Sequence, residues 1–313
     1  MTATATDRAA DLASRAIDIE RGHRIRLRCL YVLAIVSNLA IFIYGFDYYQ
    51  LSAGARPFSP KHHMLEPSGP IGLDLGFAGA ALFVGIFLYP IRKHWAWLGR
   101  IGKTPHWLDI HVLMGLTAPF IIAFHSTLKF KGIAGVAFWI MFAVSASGVV
   151  GRYLYAQIPR RVTAVELSMK ELQELQDGLS QQLGSQRLLP EADLRALLRL
   201  PDAQQVARLP IAIALIYMMI LDVVRKFGVA RLRRHASGGW FATFFGFIRT
   251  RHRDLEMAID VAAEEARLSK RLLFLSRSQK IFHAWHVIHK PFSYAFAVLA
   301  LMHITVQFLL GYF

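Results

Sequence analysis

Apolar residues along this chain are gathered into long runs separated by short polar segments. The first run extends from about Leu27 to Tyr49 and the second from about Ile71 to Ile91. A third follows from about His106 to Leu128, a fourth from about Ile133 to Tyr155, and a fifth from about His286 to Gly311. Each approaches or exceeds the ~20 residues that a helix needs to cross the hydrocarbon core of a bilayer. The pattern predicts an all-α membrane protein with about five transmembrane helices forming a bundle.

Between the fourth and fifth runs the pattern changes. Glu166 to Arg199 reads as amphipathic helix, with Pro190 starting a second piece, and Arg251 to Arg277 reads as another charged helical stretch. Leu209 to Leu221 is apolar for only about thirteen residues, and Gly238 to Ile248 is shorter still. Both suit buried or interfacial helices better than full spans. The expected organisation is residues 1–26 as an N-terminal segment, 27–159 as four membrane helices, 160–282 as a helical insert, and 283–313 as the last membrane helix.

Composition agrees with a membrane setting. Hydrophobic residues make up 55% of the 313 and charged residues 18%, with a mean hydropathy of +0.37. A soluble domain carries nearer ~25% charged residues. Met1 to Glu20 lacks the apolar core and small-residue cleavage site of a signal peptide, so the first run is expected to stay as an anchor.

The 36 Lys and Arg outnumber the 21 Asp and Glu, for a net charge of +15. No aromatic–basic recognition motif accompanies this excess, so the expected partner is the lipid bilayer, with no nucleic acid. Basic residues crowd Arg21–Arg28, Arg92–Lys103 and Arg152–Arg161, whereas Gln50–Pro70 holds only Arg56 and Lys61. The positive-inside rule then puts the N-terminus and the insert on the cytoplasmic side. The third and fifth runs both cross outward.

Four histidines carry the candidate chemistry. His111 and His125 lie fourteen residues apart in the third run, as do His289 and His303 in the fifth. At ~100° per residue, fourteen steps leave the second ring about 40° from the first, and at ~1.5 Å rise the two stand roughly 21 Å apart. Ionisable side chains inside a membrane are costly and usually functional. Two such helices side by side could present one His–His pair near each membrane face, a geometry for axial ligation of two haems. Parallel helices pair His111 with His289 and His125 with His303. Were Leu209–Leu221 a full span, the last helix would reverse, and the pairs would be His111–His303 and His125–His289.

A haem iron held by two imidazoles is six-coordinate and suits electron transfer better than oxygen activation. The chain has one cysteine, Cys29, and neither a CxxCH motif nor a cysteine set for an iron–sulfur cluster. Small residues are expected where the macrocycle sits: Gly115 one turn from His111, and a stripe of Ser145, Ala146, Ser147, Gly148 and Gly151 on the fourth run. Arg152 could pair with a haem propionate through its two parallel donors, or serve as an inside-flank residue.

His111-x13-His125 and His289-x13-His303 in separate spans resemble the transmembrane di-haem cytochrome b proteins. That group includes the b-type subunits of quinol-linked complexes and the ferric-reductase-like membrane domains. The resemblance covers the third to last runs, less the insert. It implies two haem b groups in a helical bundle, moving electrons across the bilayer between a quinone pool and a redox partner subunit, a cytochrome or an iron–sulfur protein. It also implies the cytochrome b subunit of a membrane oxidoreductase complex in a bacterial inner membrane. The ferric-reductase flavin and nicotinamide domains have no counterpart in this sequence. His283, His286 and Asp109 are candidates for contact with a quinone or its protons, with plain interfacial roles as the alternative.

Two other functions compete. A membrane non-haem di-iron oxygenase, desaturase- or hydroxylase-like, finds some footing in His106-x4-His111, His62-His63 and His283-x2-His286, but its expected HxxHH element is absent. A non-redox scaffold or transporter leaves the repeated spacing unexplained.

Overall fold

The computed structural model describes residues 5–158, 177, 196–237 and 253–311. Among these residues there are helices and connecting turns, and no strand. In chain order the helices are α1 (Ala5–Gln50), α2 (His62–Leu65), α3 (Pro70–Ile91), α4 (Ala96–Gly99), α5 (Thr104–His125), α6 (Gly132–Gln157), α7 (Ala203–Arg208), α8 (Ile211–Ser237) and α9 (Arg253–Leu309). Five stretches are long and apolar enough to cross a membrane, and they lie in α1, α3, α5, α6 and α9. Each overlaps one of the five apolar runs.

Two helices exceed their apolar runs. α1 begins at Ala5, and α9 continues unbroken for 57 residues, joining the charged stretch after Arg251 to the last span. Ser276 to Trp285 holds neither proline nor glycine, so nothing there interrupts the backbone ladder. Leu209–Leu221 mostly falls in α8, whose later turns carry Asp222, Arg225 and Lys226. Most of Glu166–Arg199 and all of Gly238–Ile248 lie outside the described residues.

The chain divides into two compact units, Met1–Val150 with Ile288–Phe313, and Gly151–Val287. In the first, α3 and α5 pack antiparallel, with Gly85 opposite Met114, Gly79 opposite Ile122 and Gly76 opposite His125. α1 runs parallel to α5: Glu20 and His23 meet His106 and Asp109 at one end, while Phe42 and Tyr49 pack on Phe124 at the other. Ala118, Phe138 and Met141 form a core against Leu82, Ile86, Ile122 and Phe296. Val32, Leu33, Ile35 and Ile43 on α1 stay exposed, as do Val298, Leu301 and Phe308 on α9. Continuous apolar faces of this kind mark the lipid-facing sides of membrane helices. In the second unit, Ala258, Ala262 and Ala266 recur every four residues on α9 and bring Leu232 of α8 into a core with Ile259 and Leu197.

A buried arginine grips each end of α5. Before it, Arg92 donates to the carbonyls of Gly99 and Gly102 at 2.9 Å each and to Thr104 Oγ1 at 2.9 Å. After it, the backbone turns left-handed at Thr127 (φ 51°) and Leu128 (φ 58°). Leu128 N–H reaches back to Ala123 O at 2.8 Å and Thr127 N–H to Phe124 O at 2.9 Å, as in a Schellman closure. Residues with a Cβ pay roughly 1–2 kcal/mol each for that conformation. Arg56 holds it, donating Nη1 to Thr127 O at 2.5 Å, Nη2 to Tyr49 O at 3.1 Å and Nε to Leu51 O at 3.1 Å. Substituting Arg56→Ala strands three carbonyls, two of them in buried hydrogen bonds, and a loss of about 3 kcal/mol is expected, since hydrogen bonds from a charged donor each contribute about 1.5–3 kcal/mol and water recovers part. Thermal unfolding of the detergent-solubilised protein reads this directly; an unchanged midpoint would show that the turn stands without the arginine.

Candidate functional site

Antiparallel packing brings each histidine of α5 against a backbone carbonyl of α3. His111 Nδ1 lies 3.0 Å from Ile86 O, and His125 Nδ1 lies 2.8 Å from Gly72 O. A carbonyl only accepts, so both neutral rings carry their hydrogen on Nδ1 and keep the lone pair on Nε2. His289 reaches the same state by another route. Its Nδ1 lies 2.7 Å from Ser147 Oγ, while that hydroxyl donates to Val144 O at 2.8 Å. The serine oxygen therefore accepts from Nδ1–H, and Nε2 again holds the lone pair.

The sequence of α3 explains why Ile86 O is available. Pro90 stands four residues later and has no N–H, so the Ile86 carbonyl loses its partner within the helix. His111 supplies the missing donor. α5 repeats the device: Pro119 leaves the Gly115 carbonyl unpaired, and Ser145 Oγ of α6 donates to it at 2.7 Å. Glycine sets the approach at the other end. A Cβ on Gly76 would stand 2.8 Å from Cε1 of His125, and one on Gly79 would stand 2.2 Å from Ile122 Cδ1. Only a bare backbone lets α3 come this near.

α9 completes the set. Lys290 stands within electrostatic reach of Lys93, just past the C-terminal end of α3. Phe296 packs edge-on to Phe83, with ring centroids 5.7 Å apart. His303 interacts electrostatically with His125, which faces the N-terminal half of α3. The last span therefore runs against α3 and parallel to α5, with His303 beside His125. His289 lies towards the same end as His111.

Gly115 and Gly148 face open space: a Cβ on either would meet nothing within 4 Å. Gly115 is one turn beyond His111, and Gly148 adjoins the serine that holds His289. Lys93 and Lys290 make the His111 end of this unit positive, and Lys93 also stands over the Tyr89 ring at 5.0 Å. Burial and the neighbouring Lys290 push the Lys93 ammonium below the ordinary lysine range. A group placed there would gain by carrying negative charge.

Asp109 belongs to a cluster. Its Oδ2 is 3.1 Å from His23 Nε2, and Glu20 Oε2 is 3.2 Å from His106 Nε2. The two imidazoles stack with centroids 3.7 Å apart and planes 11° from parallel. His283 and His286 lie in the second unit. His283 is exposed, while His286 Nδ1 bonds its own helix at Phe282 O, 3.3 Å away, and its ring meets Phe282 and Trp285 edge-on. Arg152 also falls in that unit, half-buried on α6 beside Gly151, whose missing Cβ makes room for the Trp285 indole. His62 bonds Tyr48 Oη at 2.9 Å and faces Glu66. Among the described residues no group of three or more His, Cys, Asp or Glu side chains could hold a metal ion. Axial haem ligation asks for two imidazoles per iron.

No protein-family model matches the chain. Neither does any curated protein or solved structure.

Sequence reasoning missed the part played by α3, which has no histidine. Its signal was nonetheless present in Gly72-x3-Gly76-x2-Gly79 and in Pro90 four residues after Ile86. The imidazole 15N shifts of the protein labelled on histidine should report His111 and His125 as neutral Nδ1–H tautomers. Pro90→Ala returns an N–H to the Ile86 carbonyl and should move His111 towards the Nε2–H form while leaving His125 unchanged. Equal spectra for both proteins would show that the proline does not control the ring.

Proposed function

We propose that this chain is the electron-transfer subunit of a membrane oxidoreductase, a di-haem b-type cytochrome linking a quinone pool to a redox partner. His111 with His289 and His125 with His303 would be the axial ligands of two haem b groups. One observation carries this reading: the two imidazoles of α5 are fixed by Nδ1 so that each offers Nε2, and on the parallel span His289 is held at Nδ1 by Ser147, the arrangement that supporting hydrogen bonds impose on metal-ligating histidine. The donor set fits, because neutral imidazole suits iron, and no side chain stands within 4 Å of a Cβ at Gly115 or Gly148 to block a flat macrocycle. When bound between two imidazoles, haem supplies reversible one-electron exchange without an open position for oxygen.

The protein's own groups do the rest. Carbonyls of α3 and the Ser147 hydroxyl hold the rings in one tautomer. Lys93 and Lys290 are placed to meet propionate carboxylates at the His111 end, a role that the sequence suggested for Arg152. Asp109, with His23, Glu20 and His106, is the candidate for exchanging protons with a quinone, because imidazole and carboxylate groups can each take up and release a proton. His283 and His286 are candidates for the same task. Loop charges support an N-terminus on the cytoplasmic side of a bacterial inner membrane. A cytochrome or iron–sulfur partner would dock on that side, against the basic insert.

The visible spectrum of the purified protein tests the reading. Expected is a b-type spectrum with two haems per chain, and a colourless preparation would refute it. His125→Ala and His303→Ala should each abolish the same haem and spare the other. Gly76→Ala should disturb that haem too, because its Cβ intrudes on the His125 ring. Lys93→Gln removes a positive charge near the other haem and should lower its midpoint potential in a redox titration, since nearby positive charge disfavours the oxidised iron. A shift confined to the His125–His303 haem would place the lysine elsewhere.

A further inference from the structure

The second unit contains a group of cations that outnumber the carboxylates among them. Arg225 on α8 buries Nη1 and Nη2, and neither has a hydrogen-bond partner. A guanidinium does not shed its proton, so the charge stays. Asp222, one turn earlier on the same helix, is already engaged on both oxygens. Its Oδ1 accepts from the fully buried ammonium of Lys270, and its Oδ2 accepts from the Tyr153 hydroxyl at 2.7 Å. Arg271 donates Nη2 to Ala156 O at 2.9 Å, and its Nε is buried without a partner. The nearby Glu264 is bonded to Arg267. Arg225, Lys270, Arg271 and Arg267 thus share two carboxylates, Asp222 and Glu264, which leaves two positive charges in excess beside an apolar cluster of Met218, Phe274, Tyr217 and Leu221 that strengthens every electrostatic interaction there.

Buried charge without a counter-ion is costly, and unpartnered guanidinium donors call for an acceptor with several oxygens. The planar fork of arginine matches phosphate, and Asp222, already bonded on both oxygens, has no acceptor left for Arg225. Tyr153 and Ala156 belong to the last turns of α6, a helix able to span the membrane that ends at Gln157. Such an end lies at headgroup level, where basic pockets between membrane helices bind anionic lipid phosphates.

We propose that Arg225, with Lys270 and Arg271, forms a site for a phosphate-bearing anion, and that its occupant is the headgroup phosphate of an anionic lipid. The site is independent of the histidines and of any haem.

The full chain in phosphatidylcholine nanodiscs, titrated with phosphatidylglycerol, tests this by native mass spectrometry and thermal unfolding. Phosphatidylglycerol should be retained and should raise the unfolding temperature. Arg225→Gln should weaken retention roughly tenfold or more, as expected for losing hydrogen bonds between charged groups. Lys226→Gln, at an exposed neighbouring position, should not. Arg271→Gln should act in the same direction as Arg225→Gln and serves if that variant does not fold. Equal retention by the parent, Arg225→Gln and Arg271→Gln overturns the site. Equal retention of phosphatidylcholine and phosphatidylglycerol overturns the charge argument. An Arg225-dependent shift with inorganic phosphate alone, and none with phosphatidylglycerol, overturns the lipid assignment.

Discussion

The contact between α3 and α5 is the interaction on which the candidate site depends. Lipid is as apolar as a leucine surface, so no hydrophobic force drives two membrane helices together; close packing and hydrogen bonds must do so. Gly76 and Gly79 let the backbones approach, and that approach puts the Ile86 and Gly72 carbonyls within reach of the two imidazoles. Each such bond contributes only about 0.5–1.5 kcal/mol net, but an unmade one inside the membrane costs more, about 1–3 kcal/mol. The asymmetry makes the tautomer a consequence of the helix packing. Were α3 a little further away, both rings would be free to choose.

Proline serves the same purpose at two points. In the interior of a soluble helix a proline costs about 3 kcal/mol or more, through a lost hydrogen bond and a steric clash. Within a membrane the freed carbonyl cannot turn to water, so a neighbouring helix has to satisfy it. Pro90 frees Ile86 O, which His111 takes, and Pro119 frees Gly115 O, which Ser145 takes. A residue that would break an isolated helix here joins three of them. The unpaired carbonyl is a directional acceptor, and it fixes one side chain where packing alone would leave a choice.

The legible features of the sequence were those set by period and length. Five apolar runs are visible because a bilayer has a fixed thickness, and the fourteen-residue spacing is visible because a helix has a fixed pitch. Relations between helices were harder to read. Asp109 looks like an isolated helical acid until α1 brings Glu20 and His23 alongside, and nothing local to Asp109 announces them. Arg56 reads as a stray charge in a loop, because one of the carbonyls that it binds, that of Thr127, lies 71 residues further along the chain. α9 reads as two elements because its composition changes midway, yet a change of composition leaves the backbone ladder of a helix intact. The glycines of α3 were readable in principle. They carry no ligating side chain, and a bare backbone shows its use only against the helix that it admits.

Arg92 and Arg56 add a further constraint on α5. A histidine placed by pitch alone could still slide or rotate with its helix by an ångström or more. Arg92 ties the start of α5 to the loop before it, and Arg56 ties the left-handed turn after it to the end of α1. Between these anchors the helix carries both imidazoles, each with Nδ1 bonded to α3. Electron transfer rewards ligands that do not move when iron changes charge, and rigid supporting contacts are what confer that. The alternative uses of intramembrane histidine, shuttling protons or opening a path, call for rings that reorient. Two rings held at Nδ1 on a helix anchored at both ends are poorly suited to reorient, so the same contacts that fix their tautomer favour a static, ligating role.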